Sequence, residues 1–159
     1  MTRKKDIRIV LDNIRSTHNV GSLFRTAETL GISKIYCIGT TPTPIDRFGR
    51  VRADIAKVSL GAEKVVPWEH IDDGVVLAET LAKDGFQIIS IEQDEKSVDY
   101  KKVVVANKAL IILGNEVGGV SKGLLEISDV IAEIPLRGTK ESLNVSVAAG
   151  VVLFRLLDC

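Results

Sequence analysis

The sequence predicts an α/β fold built on a mainly parallel sheet with helices on both faces. Three observations carry that expectation. Short apolar runs of strand character alternate with segments of helical periodicity almost to the end of the chain. The run at residues 109–113, Ala-Leu-Ile-Ile-Leu, is bare of charge, as suits a strand covered on both faces. The length, 159 residues, suits a single domain spanning the whole chain.

The elements follow in order. Residues 7–11 form a β-rich run. Across residues 19–30, Val20, Leu23, Phe24, Ala27 and Leu30 fall on one helical face, with Asn19 as an N-cap type and Gly31 as a stop. Residues 34–39 give a second strand. Thr40-Thr41-Pro42-Thr43-Pro44 carries two prolines and no periodicity, so it reads as a loop. Val65-Val66, before Pro67, reads as a short strand. Residues 75–81 suit a helix closed near Gly85. Strands are expected at 86–91, 109–113 and 130–134. Residues 142–157 form a last helix that is apolar on most sides (Val145, Val147, Ala148, Val151, Val152, Phe154). Such a helix is buried in the core or against a partner chain. Gly150 within it weakens the helix by about 1 kcal/mol relative to Ala, which suits close backbone packing there.

Composition sets limits on function. Lys and Arg number 21 and Asp and Glu also number 21, so the formal net charge is zero. That excludes nucleic-acid binding by bulk charge and leaves a local patch open. Such a patch exists. Arg47, Arg50, Arg52 and Lys57 cluster with only Asp46 and Asp54 as acids, and Arg3, Lys4, Lys5 and Arg15 extend it. Glu92, Asp94, Glu95 and Asp99 make the other half acidic. Read alone, surface arginines of this kind are solvated. Two cysteines (Cys37, Cys159) and two histidines (His18, His70) make neither a disulfide framework nor a zinc set, so no metal is expected. The basic start is not followed by an apolar signal core, and no stretch approaches the roughly 20 apolar residues of a membrane span. A cytoplasmic protein is therefore expected. Four Phe, two Tyr and one Trp do not suggest an aromatic platform for single-stranded bases.

In a parallel sheet the ligand site lies beyond the carboxyl ends of the strands. That selects the loops after Leu11, Ile91, Leu113 and Ile134. Neither G-x-x-x-x-G-K-[ST] nor G-x-G-x-x-G occurs. Gly114-Asn115-Glu116-Val117-Gly118-Gly119-Val120-Ser121 follows a strand, and its glycines let backbone approach a ligand. Its local reading is a strand-to-helix turn capped by Ser121. The segment from Ile134 to Ser146 likewise follows a strand and opens a helix, where Ser142 or Asn144 suits a cap. Arg25 lies off the apolar face of its helix and reads locally as a solvated side chain.

Three of these segments together resemble the motifs of the SpoU (TrmH-like) tRNA/rRNA ribose methyltransferases of the SPOUT superfamily. They are Asn19-Val20-Gly21-Ser22-Leu23-Phe24-Arg25-Thr26-Ala27, the run from Leu110 to Ser121, and Ile134-Pro135-Leu136-Arg137-Gly138 with the run from Ser142 to Ala148. They occur in family order and span nearly the whole chain. The resemblance implies an α/β fold with a C-terminal trefoil knot and a homodimer with the site near its interface. It also implies S-adenosylmethionine as cofactor, held by Gly114, Ile134, Leu136 and Leu143. Arg25 matches the family's proposed base. A guanidinium keeps its proton above pH 12, so a phosphate relay or stabilisation of a forming alkoxide is the better role. Asn19, Ser142 and Asn144 match orienting positions. Glu116 is expected to fix Arg25 by an ion pair, within the chain or across the dimer.

The implied activity is methyl transfer to a ribose 2′-hydroxyl, on tRNA in preference to rRNA because the chain is short and shows no added N-terminal RNA-binding domain. Arg15, Arg47, Arg50 and Arg52 are the candidate RNA contacts. A non-catalytic RNA-binding module on the same fold is the alternative of a different class. A flavodoxin-like reading fails because residues 12–18 contain no glycine.

Overall fold

A computed structural model describes residues 4–159. Arg3, one of the residues expected on the basic edge, lies outside them. The elements are β1 (Asp6–Asp12), α1 (Thr17–Thr29), β2 (Lys34–Ile38), α2 (Ala53–Ser59), β3 (Trp68–Ile71), α3 (Gly74–Lys83), β4 (Gln87–Ile91), β5 (Val98–Asp99), β6 (Lys108–Gly114), α4 (Lys122–Ile127), β7 (Val130–Glu133) and α5 (Val145–Leu156). Among the described residues the seven strands form one sheet, in the order β3-β2-β1-β6-β4-β7-β5. Each neighbouring pair is parallel.

The centre of the sheet explains the uncharged run. β6 pairs with β1 on one side and β4 on the other, and Ala109 to Leu113 are all buried. Alternate side chains feed two cores. Ile9, Leu11, Ile111 and Leu113 meet Leu23 and Phe24 of α1, Ile55 of α2 and Val152 of α5. Val10, Leu110 and Ile112 meet Ala78 of α3 and Leu124 of α4 on the other face. Each fully buried Leu or Ile contributes about 1.5–3 kcal/mol relative to exposure.

Several expected boundaries shift. The first helix starts at Thr17, not Asn19. Ser16 is extended and its Oγ accepts from the Asn19 amide at 3.1 Å, so Ser16 is the cap and Asn19 keeps its side chain for other partners. The strand expected at 65–66 lies at Trp68–Ile71, because Ala62–Lys64 winds into a 3-10 turn and pairing begins only after Pro67. The last helix starts at Val145, with Asn144 as cap and Ser142 outside it.

The strand order also departs from chain order. β7 enters between β4 and β5, both of which precede it, and α5 returns to pack on α1, on β6 and on the 3-10 turn Tyr100–Lys102. The implied knot itself stays with the resemblance.

Cys37 on β2 is fully buried, and burial pushes its thiol up to about 12, while Cys159 is exposed. A disulfide-exchange reagent at pH 8 is therefore expected to titrate one thiol in the folded protein and both after unfolding. Two rapidly reacting thiols in the folded state contradict this packing.

Candidate active site

Because the sheet is parallel, the loops after β4, β6 and β7 all emerge at one edge. They enclose a cleft of about 170 Å³ whose walls include Ile91, Gly114, Ile134, Leu136 and Leu143. This is less than the roughly 300–1,000 Å³ of a pocket that engulfs a ligand. A bound molecule would thus keep part of its surface outside the walls of one chain. The three loops expected to hold a ligand do converge; the loop after β1 joins the site through side chains instead.

The turn after β6 is tightly closed. The Asn115 amide donates to Gly119 O at 3.1 Å and the Gly119 amide to Asn115 O at 2.9 Å. Asn115 Oδ1 accepts from the Val117 and Gly118 amides at 2.7 and 3.2 Å, and its Nδ2 donates to Asn13 O at 2.6 Å. At Gly114 a Cβ would overlap Val120 N and Gly119 C. Glycine is thus required there by close backbone approach.

Two carboxylates grip the far side of this turn. The Val120 amide donates to Glu92 Oε2 and the next amide, Ser121, donates to Asp12 Oδ2, both at 2.8 Å. Asp12 is only 2% exposed, and Asn13 Nδ2 donates to its other oxygen at 3.0 Å. A carboxylate accepting amide donors replaces the solvation it loses on burial. Sequence reasoning missed this role. It counted Glu92 only among surface acids and gave Asp12 no function, although Asp12 closes a strand at the carboxyl edge.

Three of the motif residues meet. Asn19, 6% exposed, donates from Nδ2 to Glu116 Oε1 at 2.8 Å and accepts at Oδ1 from Asn144 Nδ2 at 3.4 Å. Asn144 Oδ1 in turn accepts from the Ser146 amide and hydroxyl at 2.9 and 2.6 Å. Asn19 therefore sits between the turn after β6 and the start of α5.

Other expected residues stand apart. Ser142 is exposed on the rim and makes no hydrogen bond among the described residues. Arg25 is exposed on α1 and borders a separate depression with Ser22, Val58 and Phe154. The expected Arg25–Glu116 ion pair is not made within the chain; Glu116 bonds Asn19 instead. Arg15, Arg47 and Arg50 are exposed and Arg52 is half-buried. Among the described residues no three metal-ligating side chains converge.

An all-parallel sheet with a glycine turn and a cleft at its carboxyl edge defines an α/β ligand-binding protein whose site lies beside the place where strand order departs from chain order. The chain belongs to the SpoU rRNA methylase family, whose model matches residues 6–154. It is 30% identical over 152 residues to the tRNA (guanosine(18)-2'-O)-methyltransferase of Aquifex aeolicus, covering 96% of this chain and 69% of that protein. It is also 30% identical over 148 residues to the 23S rRNA (guanosine-2'-O-)-methyltransferase RlmB of Coxiella burnetii, covering 93% of this chain and 56% of that one.

Among solved structures, the A. aeolicus TrmH/SpoU tRNA modifying enzyme superposes with a TM-score of 0.85 at 29% identity, over 98% of this chain and 76% of that chain. An AdoMet-bound rRNA methyltransferase from Sinorhizobium meliloti superposes with a TM-score of 0.86 at 24% identity, over 97% and 56%, and shares the fold. The chain thus spans between about half and three-quarters of the length of these relatives.

Proposed function

We propose that the protein transfers a methyl group from S-adenosylmethionine to a ribose 2′-hydroxyl of RNA. The observation that carries this is the joining of Asn19, Glu116 and Asn144 beside the Gly114 cleft, since these residues match polar motif positions by resemblance and the chain belongs to that family. The residues present fit the cofactor: the cleft sets apolar side chains (Ile91, Leu113, Leu136) beside carboxylates (Glu92, Glu116, Glu133) that suit a cationic sulfonium, and a side chain is excluded at Gly114. Gly114, Ile134, Leu136 and Leu143 would hold it there. When bound, the cofactor supplies an electrophilic methyl on a sulfonium whose charge disappears on transfer.

The chain's own residues do the rest. The carboxylates of Glu92 and Asp12 fix the turn that forms one wall. Asn19 and Asn144 orient the hydroxyl, and Glu116 holds Asn19. Arg25 stabilises the forming alkoxide as a permanent cation.

The protein acts as a homodimer in this reading. Val147, Val151 and Phe154 leave an exposed apolar stripe on α5, and Arg25 shares its surface with Phe154. A second copy on this stripe covers it and brings Arg25 to the partner's cleft. The chain works as one domain, in the cytoplasm where RNA substrate is made; no helix among the described residues is long and apolar enough to cross a membrane.

tRNA is the favoured substrate, because the A. aeolicus relative named for tRNA is similar over 96% of this chain and the A. aeolicus tRNA modifying enzyme superposes with a TM-score of 0.85. The RlmB-type names support rRNA as the second reading. Incubation with S-adenosylmethionine and each RNA class, followed by nucleoside mass spectrometry, is expected to give a ribose-methylated nucleoside. A base-methylated product, or none with any RNA, sinks the proposal. Cofactor binding without any turnover supports the non-catalytic module instead.

A further inference from the structure

The loop between β2 and α2 is more ordered than its prolines suggest. Its base is latched to the loop after β1: Thr41 Oγ1 donates to Leu11 O at 2.8 Å and accepts from the Ile14 amide at 3.0 Å, while Asn13 Oδ1 accepts from the Thr40 amide at 3.0 Å. Its tip is a small antiparallel turn in which Ile45 bridges Val51. Asp46 organises that turn from inside. Its Oδ1 accepts from the Phe48 and Arg50 amides at 2.8 and 3.0 Å, and its Oδ2 accepts from Arg50 Nε at 3.0 Å.

The turn displays Phe48, which is 66% exposed. The guanidinium carbons of Arg47 and Arg50 lie 4.9 and 5.0 Å from its ring centroid. Arg47 has no carboxylate partner among the described residues, and the buried Nε of Arg52 finds no acceptor there. At this tip Asp46 is taken by Arg50, and Arg47 is left as a cation free of any carboxylate among the described residues. An aromatic ring held out to solvent between cations matches an unpaired nucleobase, whose π face stacks on the ring while its phosphates meet the guanidiniums.

We propose that Phe48, with Arg47 and Arg50, is a stacking platform for one unpaired base of the substrate RNA, at the same sheet edge as the cleft; that the ligand is substrate rests on the function proposed above. Sequence reasoning discounted such a platform from the low aromatic count. One exposed ring, flanked by cations, suffices for one base. Phe48 is not among the residues that line the cleft, so it acts on RNA binding rather than on the methyl transfer itself.

The test compares Phe48→Ala with Phe48→Trp in a Trp68→Phe background, so that the new indole is the one emitting. Phe48→Ala is expected to raise KM for tRNA by about tenfold, the order of one lost base stack, with kcat and S-adenosylmethionine affinity unchanged. Phe48→Trp is expected to retain KM, and a single-stranded oligouridylate should quench its emission where duplex RNA of equal charge does not. Unchanged KM in Phe48→Ala overturns the platform. So does quenching of equal size by duplex RNA or by polyglutamate. The oligonucleotide titration reads the platform even if no RNA is methylated, so failure of the proposed activity and failure of the platform remain distinguishable.

Discussion

Arg25→Ala is expected to lower methyl transfer by about 100- to 1,000-fold, the cost of removing one donor aimed at a developing oxyanion, while S-adenosylmethionine binding is retained. The second half follows from placement: Arg25 is exposed on α1 and is absent from the cleft walls. The first half follows from the chemistry. A 2′-hydroxyl becomes nucleophilic only as it loses its proton, and a fixed cation lowers the energy of the charge that appears. Arg25→Lys keeps the charge but loses the planar fork, so partial activity is expected.

A mixing experiment locates the residue. If Arg25 serves the partner's cleft, Arg25→Ala protein co-refolded with a cleft-defective variant regains activity, because one hybrid site is then intact. No recovery places Arg25 in its own protomer's reaction. Near-normal turnover in Arg25→Ala, or loss of cofactor binding, contradicts the assignment.

The contrast between Arg25 and Asn19 shows how far a sequence carries. Both lie in one motif, and both were marked by resemblance. Asn19 was read locally as a helix cap, yet Ser16 takes that role three residues earlier and leaves Asn19 to bridge partners 97 and 125 positions away. No local pattern encodes such pairings. The strand β6 was legible because burial on both faces leaves the continuous apolar run at residues 109–113, and β1 and β4 because they are short and rich in Ile, Val and Leu. The helices α2 and α4, of seven and six residues, were not, since neither is long enough to display a helical period. The insertion of β7 between β4 and β5 is equally silent, because which strands pair at long range is a property of the whole sheet. The grip of Glu92 and Asp12 was hidden for another reason: both look like ordinary acids until the backbone amides they accept from are in view.

Those two carboxylates leave Gly114 no room for a side chain. In Gly114→Ala the new Cβ overlaps Val120 N and Gly119 C and lies 2.8 Å from Gly119 O. These are backbone atoms, so no side-chain rotation relieves the clash. Nor is the segment free to retreat, since Val120 is held by Glu92, Ser121 by Asp12, and Gly119 by Asn115. The turn must shift by about 1 Å, a displacement worth on the order of 100-fold in rate when it moves reacting groups. Overpacking of this kind also costs about 1–3 kcal/mol of stability.

Gly118 is the matched control in the same turn. A Cβ there meets nothing within 4 Å, and its φ is not among the positive ones. Gly118→Ala is therefore expected to keep its melting temperature and its S-adenosylmethionine affinity, whereas Gly114→Ala loses both. Calorimetric titration of the cofactor against each folded variant separates a reshaped wall from a merely weakened protein, because stability alone leaves the affinity of the folded fraction unchanged. Equal cofactor affinity in the two variants would falsify the view that the close approach at Gly114 shapes the site.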